Sequence, residues 1–90
     1  MENYIKGNFK QSIFSSEKGY IIGLFRIKET DIIEMQEYVN RTITFTGYFH
    51  ELNTDDIYLF FGEPTNHPKY GFQLNVTSYE RVNLKGTLLS

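Results

Sequence analysis

The sequence has no cysteine and no tryptophan, and only two prolines and two histidines among its 90 residues. Without cysteine there is no disulfide framework and no thiolate ligand for a metal. His50 and His67 stand apart from each other, and neither belongs to a metal-ligand spacing. No apolar stretch approaches the length of a membrane span, and the N-terminus lacks the apolar region of a secretion signal. These absences make a cytoplasmic location the expectation and leave no role for a membrane.

Catalytic groupings are also missing. Ser15, Ser16, Ser78 and Ser90 lie in no nucleophile-elbow context, which needs a base and an orienting acid nearby. Asp55 and Asp56 are paired carboxylates, but they fall in a connection without the apolar pocket that acid–base work needs. Gly23, Gly47, Gly62 and Gly71 are scattered and form no phosphate-binding loop. The expected set of catalytic residues is therefore empty, as is the set of metal ligands.

Charge of one sign is scarce overall, with a formal net charge of −2. Its distribution is uneven. From Tyr4 to Lys28, Lys6, Lys10, Lys18, Arg26 and Lys28 face a single acid, Glu17. Glu29, Asp31, Glu34 and Glu37 then follow without a base, and Glu51, Asp55 and Asp56 form a second acidic patch. A mixed solvated surface explains this pattern; so does one positive face on an acidic molecule.

What is abundant is aromatic. Phe and Tyr supply 17% of the chain, within an ordinary apolar fraction of 40%. Rings suit a pleated, half-buried surface, so a β-rich domain is expected. Ninety residues form one domain that buries roughly 60–65% of its unfolded surface.

Ile5, Gly7, Phe9, Gln11 and Ile13 alternate with polar residues, which predicts a half-buried first strand. Ser15 to Gly19 reads as a hairpin turn into a second strand, Tyr20 to Lys28. There Phe25 and Ile27 point inward, while Leu24, Arg26 and Lys28 point outward. Adjacent Ile21 and Ile22 break the alternation and suggest a bulge or two-sided burial near Gly23.

Glu29 to Asn40 fits a short helix, with Asp31 and Glu34 in a capping pattern, or else an irregular excursion. The third strand, Arg41 to Phe49, sets Ile43, Phe45 and Gly47 against a row of threonines and Tyr48. His50 to Asp55 is a connection that fits one helical turn. The fourth strand, Asp56 to Glu63, is apolar on both faces, with Tyr58 and Phe60 on one side and Ile57, Leu59 and Phe61 on the other. Such a strand is covered twice or offers an interaction surface. Pro68 and Gly71 then specify a turn, in which His67 bonds to local backbone, before a fifth strand from Phe72 to Glu80. Phe9, Phe25, Phe45, Tyr58 and Phe60 are the expected core rings.

Five strands with a longer third connection predict a small Greek-key barrel. The OB-fold is the first candidate and an SH3-like barrel the alternative. Residues 1–81 are the expected domain and residues 82–90 a linker toward a following domain.

The run His67-Pro68-Lys69-Tyr70-Gly71, followed by Gln73, Val76 and Ser78-Tyr79-Glu80, resembles the N-terminal domain of RecD-like ATP-dependent DNA helicases. These are also described as exodeoxyribonuclease V alpha subunits. Ile5-Lys6-Gly7, Ile13-Phe14, Glu17, Gly19-Tyr20, Thr46-Gly47-Tyr48, Leu52 and Gly62-Glu63 extend the likeness over most of the chain. Pro64 departs from it, standing where an aromatic is common, and Glu29 to Asn40 is longer than the usual connection.

The resemblance implies a bacterial-type parent of DNA repair and recombination. That parent would have helix-hairpin-helix elements and a motor using ATP and Mg²⁺ to unwind DNA in the 5′ to 3′ direction. No motor motif lies in these residues, so the implied role here is a non-catalytic accessory OB domain.

Its expected partners are single-stranded DNA or a DNA junction, and the helicase motor of the same chain. In an OB-fold, the face of strands two and three is the usual platform. Arg26, Lys28, Arg41 and Tyr48 are its candidate residues, with Phe61, Lys69 and Tyr70 flanking it. The alternative is a docking module that makes no DNA contact, built on the row Ile57, Leu59 and Phe61.

Overall fold

Phe25 and Ile27 point to one side of their strand and Arg26 to the other, and the same period of two builds the whole domain. The computed structural model describes residues 3–69 and 71–82. Strand β1 spans Tyr4–Ser15, β2 Tyr20–Thr30, β3 Thr42–Tyr48, β4 Ile57–His67 and β5 Gly71–Val82. A 3-10 helix, Ile33–Tyr38, lies between β2 and β3.

The strands close into one barrel in the order β1-β2-β3-β5-β4. β1 meets β4 antiparallel from Tyr4↔Phe61 to Asn8↔Ile57, which completes the ring. The β3–β5 pairing is parallel and short, from Thr44↔Gln73 to Thr46↔Asn75. This is the five-stranded Greek-key barrel of the OB-fold rather than the SH3-like alternative.

The core is aromatic. Phe25, Phe45 and Phe60 are fully buried, with Phe25 and Phe60 centroids 4.3 Å apart and Phe45 and Phe60 5.0 Å apart. Phe9 and Tyr58 are buried with them, as the pattern predicts, and Phe49 joins the same cluster. Each such ring contributes about 1.5–3 kcal/mol relative to an exposed one. The Tyr58 hydroxyl accepts a hydrogen bond from the Asn53 backbone N–H at 2.8 Å, and burial pushes its pKa up.

Three departures from the expected strands share one cause, an extra residue in a ladder. Phe9↔Phe25 is followed by Gln11↔Leu24, which leaves Lys10 unpaired. Ser12↔Gly23 is followed by Phe14↔Ile22, which leaves Ile13 unpaired. The irregularity expected near Gly23 therefore lies across from it, on β1. As a result Ile13 is 60% exposed rather than inward. On the other side, Lys28 is the unpaired residue between Lys6↔Glu29 and Gly7↔Ile27.

The segment after β2 is helical, but it is a 3-10 helix without the predicted cap. Its N-cap residue, Ile32, makes no side-chain cap bond. The Asp31 carboxylate instead accepts the Tyr4 backbone N–H at 2.8 Å, while Thr30 Oγ1 accepts the Ile32 N–H. Ile32 and Met35 are buried in the core, which holds the helix in place. The connection from His50 to Asp56 holds one hydrogen-bonded turn, in which the Asp56 N–H donates to the Asn53 carbonyl at 3.3 Å, and no helix.

β5 runs to Val82, which pairs with Ile57 and is buried. The barrel thus continues one residue past the expected domain end; the linker beyond it lies outside the described residues.

Candidate nucleic-acid interface

Two hairpins frame one outer face of the barrel. The β1–β2 turn is held by Ser16, whose Oγ accepts the N–H groups of Lys18 and Tyr20. The β4–β5 turn closes on the pair His67↔Gly71. There the Lys69 N–H donates to His67 Nδ1 at 3.0 Å, the local backbone role expected of this histidine. Gly71 has φ +77, a conformation open to glycine, so the turn chemistry legible at this position holds.

Between the hairpins lies a groove of about 400 Å³. Ile22, Thr44, Thr46 and Gln73 form its floor, contributed by β2, β3 and β5. Ile13, Phe14 and Tyr20 line it from the first hairpin and His67 from the second. Phe14 is 52% exposed and Tyr48, whose ring packs edge-on against Tyr20, is 68% exposed. No lysine, arginine or carboxylate is among the described residues lining this groove.

The sequence-predicted residues divide into three groups. Tyr48 and Arg26 share the outer face of the β2–β3 pair, in the registers Tyr20↔Tyr48 and Arg26↔Thr42. Six residues of strand separate those registers, about 20 Å. Lys69 stands on the β4–β5 turn, next but one to His67 in the groove wall. Tyr70 lies outside the described residues.

Arg41 and Lys28 sit at the far end of the face. Arg41 places its guanidinium 5.5 Å from the Tyr38 ring centroid, and Tyr38 in turn stacks on Phe72 at 5.4 Å. Lys28 is exposed at its bulge, beyond Arg26.

Phe61 is a correction. It does not flank the platform, because its side of β4 turns outward on the β1–β4 pair. It lines a separate pocket of about 250 Å³ with Tyr4, Lys6, Glu29 and Leu59, and its ring lies 6.4 Å from that of Tyr4. In that pocket the Tyr4 hydroxyl donates to Glu29 Oε2 at 2.5 Å. The neighbouring carboxylate, with partial burial, raises the Tyr4 pKa to about 12.

Sequence reasoning did not single out Ile13, Phe14, Tyr20, Ile22 and Gln73 as site residues. The broken alternation at Ile21-Ile22 was the available signal, since Ile22 faces the groove. Nothing in the pattern marked Gln73, which sits at a nominally wet position yet is only 7% exposed.

The described residues contain no group of three or more His, Asp or Glu placed to hold a metal. None of the described helices is long and apolar enough to cross a membrane. Asp56, one of the paired carboxylates, forms an ion pair with Arg81 at 3.6 Å.

Exposed rings on the β2–β3 face, between the β1–β2 and β4–β5 turns, stand where OB-folds take up single strands, although the described groove lining lacks the lysines and arginines with which such sites track phosphates. No solved structure gives a significant match to the chain. A family model described as ATP-dependent DNA helicase YrrC, OB-fold domain, matches residues 2–83. The chain therefore belongs to the OB-fold domain family of ATP-dependent DNA helicase YrrC, a RecD-like group.

Proposed function

We propose that this domain binds single-stranded DNA in the groove over β2 and β3, as a non-catalytic accessory element of a RecD-like helicase. The observation that carries the reading is the uncharged groove with Phe14, Tyr20 and Tyr48 at its border. Bases present a π face to such rings, and each stacked base contributes about 1–3 kcal/mol. Arg26 at one end and Lys69 at the rim supply charge for phosphates. The ATP- and Mg²⁺-dependent unwinding belongs to the parent motor, and the domain guides the strand beside it.

Fluorescence anisotropy with a labelled single-stranded oligonucleotide tests this. Micromolar or tighter binding, stronger than to a duplex of the same length, is the expected result. No binding at low salt rejects the reading.

A second reading rests on a different observation. Ile57, Leu59 and Phe61 form an outward, half-buried apolar row on the β1–β4 pair. That row suits docking onto the motor of the same chain. Hydrogen exchange of these residues, slower in the intact parent than in the isolated domain, is the expected sign. Equal exchange in both removes it.

A further inference from the structure

We propose that Gln73 reads the edge of a base held in the groove, so that the site discriminates among bases rather than gripping any single strand equally. This rests on the reading of the groove as a single-strand site.

Gln73 lies on β5, in register with Thr44 of β3, on the floor of the groove. It is 7% exposed, which is unusual for an outward-facing glutamine. Its side chain makes no hydrogen bond with another described residue. Among the described residues no sealed-in side-chain nitrogen or oxygen lacks a partner. The Gln73 carboxamide is therefore not sealed in: its stem is packed away and its polar end opens into the groove it lines.

The surroundings are different in kind. Ile22 and Phe14 beside it are apolar, and the Thr46 hydroxyl is already engaged, donating to Asn75 Oδ1 at 2.8 Å. Gln73 is thus an unengaged paired donor and acceptor set among surfaces that hold base faces. A base that covers this amide shuts out water, and a polar end then left without a partner is costly, so a base that completes its bonds is favoured over one that cannot.

Every base carries adjacent donors and acceptors on its Watson–Crick edge, and single strands expose that edge when their bases unstack. Cytosine and adenine offer an amino group beside a ring nitrogen, the complement of a carboxamide. Thymine offers one N–H between two carbonyls. A base lying against Phe14 and Tyr20 presents such an edge toward the floor. Stacking alone is tolerant of sequence; a carboxamide at its edge is not.

The test titrates the 90-residue chain with fluorescently labelled dA10, dC10 and dT10. The wild type is expected to separate the tightest from the weakest by roughly fivefold or more. Q73L, apolar and of similar shape, is expected to collapse that spread to under about twofold, chiefly by weakening the oligonucleotide the wild type binds tightest. Strands also differ in their own base stacking, but that difference persists in Q73L and so is separated from the effect of Gln73.

Q73E keeps the shape and removes the donor. It is expected to weaken most the oligonucleotide the wild type binds tightest, because the acceptor on that base's edge (N1 of adenine, N3 of cytosine or O4 of thymine) then faces a carboxylate oxygen in place of an N–H. Circular dichroism confirms that each variant is folded; where Q73L does not fold, the Q73E ranking decides. Equal wild-type affinities, or a spread that survives in the folded variant, overturn the role of Gln73 and leave the groove intact as a site. Failure of all three oligonucleotides to bind the wild type overturns the groove reading itself and this inference with it.

Discussion

Tyr20 and Tyr48 face each other across the β2–β3 register, with ring centroids 5.1 Å apart and planes inclined at 61°. Tyr20 lines the groove, and Tyr48 extends its aromatic border into solvent. Removing an exposed stacking ring should harm binding far more than folding. Tyr48→Ala is expected to weaken single-strand binding by about 1–3 kcal/mol. Loss of the ring pair should cost less than about 1.5 kcal/mol of stability. Anisotropy titration and thermal melting of the same preparation check both; a variant that melts early and binds normally would reverse the assignment.

Salt should matter little. The described groove lining carries no lysine, arginine or carboxylate, and phosphate contact is assigned to Arg26 and Lys69, not to Lys18 of the β1–β2 turn. Neutralising two phosphates of a single strand gives a slope of log affinity against log salt near −1.4. The expected slope is therefore no steeper than about −1.5, and Arg26→Glu should flatten it further. A slope near −4 would mean that binding runs over a basic surface elsewhere on the domain.

Alkaline pH should loosen the β1 end of the barrel. The Tyr4 hydroxyl donates to Glu29, and its pKa rises from 10.0 to about 12. The folded state thus holds this proton more tightly than the unfolded chain does. The associated stability is fully present below pH 10 and is lost as pH rises through about 12. Melting temperature followed from pH 9.5 to pH 12 should fall more steeply in the wild type than in Tyr4→Phe, which lacks the titrating group. Identical slopes would assign the alkaline loss to other tyrosines.

Two glycines should fail for different reasons. At Gly62, a Cβ would meet the Asn75 carbonyl oxygen, 1.9 Å away, where Thr77 bulges between Phe61↔Ser78 and Gly62↔Val76. Backbone must move, and Gly62→Ala is expected to cost at least about 2 kcal/mol. At Gly71 the space is open but φ is +77, so Gly71→Ala is expected to cost about 1 kcal/mol. Urea unfolding midpoints rank the two; the opposite order would show that the β4–β5 turn, not the bulge, is the tighter constraint.

Much of the barrel was legible because two signals act locally. Phe25, Ile27, Ile43 and Phe45 alternate cleanly, and each lies inside as its spacing demands. Gly71 marks a positive φ at the turn where it was expected. The groove was harder to read because bulges shift the phase of a strand without leaving a clear mark in its composition. Ile13 read as inward until the unpaired Lys10 and Ile13 moved it to the surface.

Long-range pairing hid the rest. Phe61 alternates like a platform residue, yet only the β1–β4 closure determines which outer face it joins. Asp31 resembles a helix cap, but it serves the Tyr4 N–H from 27 residues away. Gln73 is shielded by strands and turns distant in sequence, so no local pattern announces its burial.

The central claim is the location of the single-strand site, and amide chemical-shift mapping addresses it most directly. The labelled 90-residue chain is titrated with unlabelled single-stranded DNA. Shifts concentrated at Phe14, Tyr20, Ile22, Thr44, Thr46 and Gln73, with Ile57, Leu59 and Phe61 unmoved, are the predicted result. Shifts centred on Ile57, Leu59 and Phe61, or none at saturating DNA, would contradict it.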